Sequence, residues 1–303
     1  MKRRCSMSDL LDMLGCRHPI IQGPIGSMNN PAMVAAISGA GAYGMLALGF
    51  MDNVQEVRRL VGKVQELTDK PFGANVVLLN PLAGEILKFL AGAGVTTVTT
   101  SVGQPGKLYP FIHDLGMKGI HVVLSLAHAM KAEESGADGL VVVGGEAGGL
   151  RSTKPESSTM VLVPLVADNV SVPIVAAGGI ADSRGYRAAF ALGAQGVQVG
   201  TRFLVSTEST IHEKWKEAII ACGDGGTDLL PVRNMMTRAV VTPGIRKLMD
   251  DPSVDLAEEM RKVDRVGAWD AGDFDNAVAG GGQVSALIHD IKPVKEIIDE
   301  MVS

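Results

Sequence analysis

Along the first two-thirds of the chain, short apolar runs alternate with amphipathic segments. The runs fall at 19–25, 43–48, 72–79, 96–101, 120–125, 139–143, 174–177 and 196–203. Most are continuously apolar rather than alternating, the pattern of strands buried on both faces of a parallel sheet. Helix-period segments lie between them, at 31–39, 53–67, 81–93, 107–115, 127–135, 158–169 and 182–192. Pro31 and Pro81 stand where a first helical turn accepts proline.

Four helix-to-strand junctions resemble one another: SGAGAYG at 38–44, AGAGVTT at 91–97, SGADGLV at 135–141 and LGAQGVQ at 192–198. Each is a glycine stop followed by a strand, as right-handed β–α–β units require. Eight such units predict a closed (β/α)8 TIM barrel over 1–204, with a doubly wound open sheet as the alternative. After Val205 the pattern turns mainly helical, with Trp215 and Trp269 nearby. This predicts a helical substrate or lid domain over 205–282 and a last helix, within 283–303, returning to the barrel.

The stretch 173–201, PIVAAGGIADSRGYRAAFALGAQGVQVGT, holds the seventh and eighth expected strands, each ending in glycine. Such ends let backbone approach a ligand closely, and the loops after strands 7 and 8 are the usual phosphate site of a TIM barrel. Gly178, Gly179, Gly200 and Thr201 are the candidates.

Composition narrows the classes. Charged residues are 20% of the chain and the net charge is −5, which argues against nucleic acid and gives no attraction to an anionic membrane. Asp9 and Asp12 interrupt the basic N-terminal segment, which argues against a signal peptide. Cys5, Cys16 and Cys222 have no metal-type spacing and suit a reducing, cytoplasmic setting. Fifteen methionines, among them Met28, Met45 and Met51, fit an apolar core or an adaptable pocket.

The expected strand ends are poor in acid–base groups. They offer Gly23, Pro24 and Ile25; Asn75; Ser125; Gly148 and Gly149; and Gln198. No nucleophile elbow or metal cluster stands out. A lining of glycines, hydroxyls and carboxamides suits a flat phosphorylated cofactor that carries the chemistry itself. FMN fits; pyridoxal phosphate fits worse, because no lysine lies at an expected strand end. The weak catalytic candidates are Tyr43, His128, which follows Ser125 by three residues, and Arg151, which with Ser152 could meet a substrate carbonyl. Glu146 is either near the cofactor or a structural hydrogen-bond acceptor.

The segments HPIIQGPIGSMNNPAMVAAISGAGAYG, KPFGANVV, GGEAGG, PIVAAGGIAD, GAQGVQVGTRFL and the tail GGGQVSALIHDIKPVKEIIDEM resemble the nitronate monooxygenase (2-nitropropane dioxygenase-like) superfamily. They look closest to its FMN-dependent enoyl-acyl-carrier-protein reductase branch. The resemblance implies FMN flanked by Gly23, Pro24, Ile25 and Asn75, approached by Gly148 and Gly149, and held at its phosphate by Gly178, Gly179, Gly200 and Thr201. Gln283 would help close the site. It also implies NADH or NADPH as reductant, a small-molecule or thioester substrate, and ene-reduction. Nitronate monooxygenase, quinone reductase and non-catalytic flavin binding are the alternatives. A homodimer is the candidate assembly. The family usually follows EAGG with a catalytic histidine; here Leu150 stands there. Tyr43, in GAGAYG, is a second departure, read as core packing or as a phenol near the pocket.

Overall fold

In a computed structural model, residues 6–26, 29–103, 105–232, 235–262, 268 and 273–303 are described. Cys5, Met28 and Trp269 lie outside the described residues. The strands are β1 (Ile20–Gln22), β2 (Gly44–Ala47), β3 (Phe72–Val77), β4 (Thr97–Ser101), β5 (Lys118–Val123), β6 (Gly139–Val143), β7 (Gly149–Arg151), β8 (Ile174–Ala177), β9 (Gly196–Val199), β10 (Thr227–Val232), β11 (Met235–Val240) and β12 (Ala279–Gly280). The helices are α1 (Met7–Leu14), α2 (Pro31–Gly39), α3 (Val54–Leu67), α4 (Ala83–Gly92), α5 (Leu108–Asp114), α6 (Leu126–Glu134), α7 (Thr159–Ala167), α8 (Ser183–Ala191), α9 (Thr201–Leu204), α10 (Glu213–Ile220), α11 (Pro243–Asp250), α12 (Leu256–Lys262) and α13 (Val294–Val302).

Eight strands pair in parallel in the order β1-β9-β8-β6-β5-β4-β3-β2, a nearly closed TIM barrel. The expected seventh and eighth strands are therefore β8 and β9. Between β1 and β2 the wall closes on two backbone bonds, Tyr43 N–H to Ile20 O (2.8 Å) and Gln22 N–H to Tyr43 O (2.9 Å). The Gln22 side chain extends this seam by accepting from Met45 N–H at 2.9 Å. A glutamine side chain stands in here for a missing strand rung.

The barrel floor is plugged from below. Ser6 and Asp9 form a capping box that starts α1, and Gly15 ends it in the left-handed region. Its Leu10 and Leu14 are fully buried among the inward residues Ile21, Tyr43, Val141 and Val175. Burying such leucines contributes about 1.5–3 kcal/mol each.

Beyond β9 the sequence expectation of a mainly helical segment needs correction. Helices α10 to α12 are present, but β10 and β11 form an antiparallel hairpin. β12 and β7 both pair with β11, giving a second, four-stranded sheet. Leu229-Leu230 and Met235-Met236 break the alternation that would have marked these strands, and Pro231 argues against one. Pro231 is tolerated because β10 is an edge strand of this sheet. Among the described residues no helix is long and apolar enough to cross a membrane.

Candidate active site

At the C-terminal mouth of the barrel, the ends of β1, β8 and β9 come together. Gly23 N–H donates to Val199 O at 2.8 Å. A Cβ on Gly23 would lie 3.3 Å from the Gly200 Cα, so glycine lets the two strand ends close up. Gly178 and Gly179 follow β8 with φ of 102° and 74°, a conformation side chains rarely adopt. A Cβ on Gly179 would have Glu146 as its nearest neighbour at 3.9 Å, and one on Gly200 would meet nothing within 4 Å. These two glycines border open space. Helix α8 adds less than its position suggests: Asp182 already accepts from Arg184 N–H and Gly185 N–H at its N-terminus.

Gln198 lies between Ile21 of β1 and Ala177 of β8 in register. Its Oε1 is buried and has no hydrogen-bond partner among the described residues. An unpaired buried acceptor costs about 1–3 kcal/mol, so it calls for a donor from a bound group. Asn75 is fully engaged by comparison. It donates to Thr99 Oγ1 (2.9 Å) and accepts from Ser101 Oγ (3.2 Å), a polar ladder across β3 and β4. The next residue, Val102, has φ 49°, a strained conformation for a β-branched residue at the mouth.

The loop after β6 is built by glycine contacts and one carboxylate. Glu146 accepts from Thr159 N–H (2.8 Å) and Thr159 Oγ1 (3.0 Å), which caps α7. Gly148, which the resemblance implied would approach the cofactor, packs closely against the GGGQ loop. A Cβ there would meet Gly281 C and Gly282 N, both at 2.7 Å. Gly149, at φ 77°, borders open space. The GGGQ loop is bonded on both sides, by Gln283 N–H to Glu146 O (2.9 Å) and Gly282 N–H to Thr201 Oγ1 (3.1 Å). The Gln283 side chain is exposed. Pro24 and Ile25 follow β1 half-buried, with Ile25 packed against the cluster of Trp215, Ala277 and Val284.

Three expected catalytic side chains lie elsewhere. The Tyr43 phenol donates to Thr97 O (2.8 Å) on the barrel floor, and burial raises its pKa. Arg151 is 1% exposed; it pairs with Glu156 at 2.6 Å and donates to Gly144 O at 2.9 Å. It is locked into its loop and cannot reach a substrate carbonyl. His128 belongs to the helix layer outside the barrel. Its Nε2 is 3.1 Å from Nε2 of buried His121, whose Nδ1 is 2.7 Å from Thr100 Oγ1. Thr100 in turn meets the buried Tyr109 hydroxyl at 2.9 Å. One orientation satisfies every donor: Tyr109 to Thr100, Thr100 to His121 Nδ1, and His121 Nε2–H to His128. Ser125, expected at the cofactor, caps α6 by accepting from His128 N–H.

Sequence reasoning missed Arg238. It lies opposite Gly149 in the β7–β11 register, and its Nε donates to Gly145 O at 3.0 Å. Burial, then neighbouring Arg151, lowers its pKa. Only recognition of the hairpin would have pointed to it. Leu150, opposite Thr237, is 39% exposed. Among the described residues no group of three or more potential metal ligands gathers.

Fold and mouth define the class: a (β/α)8 barrel with a glycine-bordered opening at the ends of β1, β8 and β9. The chain belongs to the nitronate monooxygenase family, whose profile matches residues 7–303. It is thus an oxidoreductase of a family that depends on flavin mononucleotide. It is 30% identical to a nitronate monooxygenase of Pseudomonas aeruginosa, over 96% of this chain and 97% of that one. It is 36% identical to (3aS,4S,5R,7aS)-5-hydroxy-7a-methyl-1-oxo-octahydro-1H-indene-4-carboxyl-CoA dehydrogenase of Rhodococcus jostii, over 71% of this chain. That match spans 60% of the Rhodococcus protein. Among solved structures, FabK from Thermotoga maritima superposes with a TM-score of 0.87 at 37% identity, covering 97% of this chain and 94% of that chain.

Proposed function

We propose that the chain is an FMN-dependent ene-reductase acting on a C=C bond conjugated to a carbonyl, in an enoyl thioester or a planar enone. The observation that carries this reading is the pairing of an orphaned acceptor, Gln198 Oε1, with open space at Gly179 and Gly200. These residues fit a flat ring with a phosphate at one end. Bound there, FMN would take hydride from NADH or NADPH and deliver it to the β-carbon of the substrate. Gly178, Gly179, Gly200 and Thr201 would hold the phosphate, and Gln198 would accept a ring or ribityl donor. Backbone N–H groups at the mouth would polarise the carbonyl. With Tyr43, His128 and Arg151 engaged elsewhere, water supplies the α-proton. Residues 1–204 form the cofactor barrel, 205–282 a mixed lid over its mouth, and 283–303 the returning segment.

The experiment is anaerobic. NADH or NADPH is added until the bound flavin bleaches, and candidate enones are then supplied. Return of the flavin absorbance with an enone supports the reading; bleaching that no enone reverses would sink it.

A second reading is nitronate oxidation, as the name of the Pseudomonas relative suggests. It is favoured by the same want of a free base: a preformed alkyl nitronate needs no deprotonation. Oxygen uptake with the nitronate, absent with the neutral nitroalkane, is its signature.

A further inference from the structure

Arg238 is a cation with no ion-pair partner among the described residues. Its Nε donates to Gly145 O at 3.0 Å, and its two terminal nitrogens have no partner there. Burial and then the Arg151 charge lower its pKa, against Asp228, Glu156 and Glu146, which raise it and do not prevail. Each of these carboxylates is engaged closer at hand. Glu156 takes Arg151 at 2.6 Å and Ser152 N–H at 2.9 Å. Glu146 takes the N–H and the hydroxyl of Thr159. Asp228 Oδ1 takes Leu229 N–H at 2.7 Å. A half-buried guanidinium in this condition is stabilised by an added anion. The hairpin leaves room for one. Arg238 shares a face of β11 with Met236, and Leu229 and Pro231 lie opposite these two on β10. The three apolar side chains are half-buried. On its other side Arg238 stands opposite Gly149, where a Cβ would meet nothing within 4 Å, so the flank of the arginine is open. Arg151, opposite Met236, is a second ion of this face and is spent on Glu156.

The open flank adjoins the mouth. The loop that Arg238 holds at Gly145 starts with Gly144 N–H bonded to Ala177 O at the end of β8. It continues past Gly178, where a Cβ would lie 3.2 Å from Ala147 N. Arg238 and the β8 glycines thus border the same loop. We propose that Arg238 sets substrate specificity by binding an oxyanion, carboxylate or phosphate, that the enone or enoyl thioester carries at a distance from its C=C bond. With Nε spent on Gly145 O, the terminal nitrogens still present two parallel N–H groups, the edge that pairs with two oxygens at once. Leu229, Pro231 and Met236 suit the carbon skeleton between the anion and the reacting bond. The identity of the occupant rests on the ene-reductase reading; the anion site itself does not.

The test compares matched ligands on the flavin-loaded full chain, wild type against Arg238→Gln. One pair is para-carboxybenzylideneacetone and benzylideneacetone; the other is crotonyl-coenzyme A and crotonyl-N-acetylcysteamine. The first member of each carries the anion. Dissociation constants are read from the oxidised flavin spectrum, which needs no turnover, and KM and kcat from flavin reoxidation. Wild type should bind a charged member more tightly than its neutral partner. Preference in the first pair assigns a carboxylate, and in the second a phosphate. Arg238→Gln should weaken the preferred member at least about tenfold and raise its KM, with kcat and the neutral partner unchanged. A merely structural role through Gly145 would weaken both members alike. Arg238→Lys keeps the charge and loses the paired edge. It should recover part of the preference, and it covers a failure of the glutamine variant to fold. Equal binding of charged and neutral members by wild type overturns the proposal. So does an Arg238→Gln variant whose losses fall on both members of a pair, on NADH or on FMN. A charge preference that Arg238→Gln abolishes, in a protein whose flavin no enone reoxidises, upholds the anion site and sinks the ene-reductase reading.

Discussion

Gly148 and Gly282 meet backbone to backbone: a Cβ on Gly282 would lie 3.0 Å from Gly148 N, and one on Gly148 would lie 2.7 Å from Gly282 N. The same Cβ on Gly282 would approach Glu146 O to 2.8 Å. Gly282 itself is extended, φ −82° and ψ 169°, so alanine there is refused by contact and not by conformation. Backbone atoms cannot rotate aside as a side chain can. Gly282→Ala should therefore destabilise by about 1–3 kcal/mol, the usual cost of overpacking. Urea unfolding checks this. Because Gly282 N–H also donates to Thr201 Oγ1, the variant should retain less flavin on gel filtration.

Gly200→Ala makes the opposite case. The added methyl meets nothing within 4 Å, and φ −114° is open to alanine. Stability should stay within about 0.5 kcal/mol of wild type. If the methyl stands where a phosphate rests, FMN affinity should fall at least about tenfold, roughly 1.4 kcal/mol. Fluorescence titration of the apoprotein with FMN reads this without any turnover. Unchanged affinity would place the phosphate elsewhere.

These two glycines show what the chain announces and what it hides. The continuous apolar runs give the barrel strands, because burial on both faces leaves no alternation to misread. The GG end of β8 is equally legible, because Gly178 and Gly179 take a backbone that side chains rarely adopt, whereas Gly200, at φ −114°, is set apart only by the open space beside it. A glycine does not say what approaches it, however. Gly148 reads like a ligand glycine, and the fold adds a demand the sequence does not show, the close approach of Gly281 and Gly282. Side-chain partners brought from far along the chain are equally silent. Nothing near Tyr43 announces Thr97 O, and only the fold reveals that Arg151 is spent on Glu156. The β10–β11 hairpin hid behind doublets of Leu and Met, so Arg238 hid with it.

The Arg151–Glu156 pair, 1% and 9% exposed, predicts a strong asymmetry between single and double replacement. Arg151→Ala leaves Glu156 charged and buried, along with the unpaired Gly144 carbonyl. A loss of about 3–5 kcal/mol is expected. Arg151→Met with Glu156→Leu removes both charges and should recover most of it. The double variant also removes two opposing influences on Arg238, Arg151 lowering its pKa and Glu156 raising it, and leaves burial as the main cause of its lowered pKa. Chemical denaturation of the three proteins decides; equal losses in single and double variants would contradict the argument.

His121 gives the fold an acid limit. Burial, aided by His128, pushes its pKa down to about 3, against an ordinary 6.5. Between those values the unfolded chain binds a proton that the folded chain refuses. Stability is therefore complete above about pH 6.5 and falls as pH drops towards 3, by up to about 1.4 kcal/mol per unit. Protonating His128, whose pKa burial also lowers, does not relieve this. Either hydrogens then sit on both facing Nε2 atoms, or His121 moves its proton to Nδ1 and reverses the Thr100 link, leaving the Tyr109 hydroxyl proton without an acceptor. Unfolding free energies measured from pH 7 to 4 should show a shallower slope in His121→Gln than in wild type.

The resemblance implies that residue 150 is where a catalytic base would stand, and Leu150 is there instead. It stands between Gly149, which borders open space, and Arg151, which is locked, and it is partly exposed. A leucine there can neither take a proton from carbon nor return one. On the nitronate reading, wild-type protein should consume oxygen with a preformed alkyl nitronate and fail with the neutral nitroalkane. Leu150→His supplies an imidazole at the same point of β7, and general-base catalysis contributes about 10²–10⁴-fold. Oxygen uptake with the neutral nitroalkane should then appear and should rise as pH climbs through about 6.5, because only the neutral ring accepts a proton. Activity with the nitronate should stay flat across the same range. A histidine variant that folds, keeps its flavin and gains nothing would show that residue 150 does not face the reacting carbon. The absence of a base would then have to be sought at another strand end.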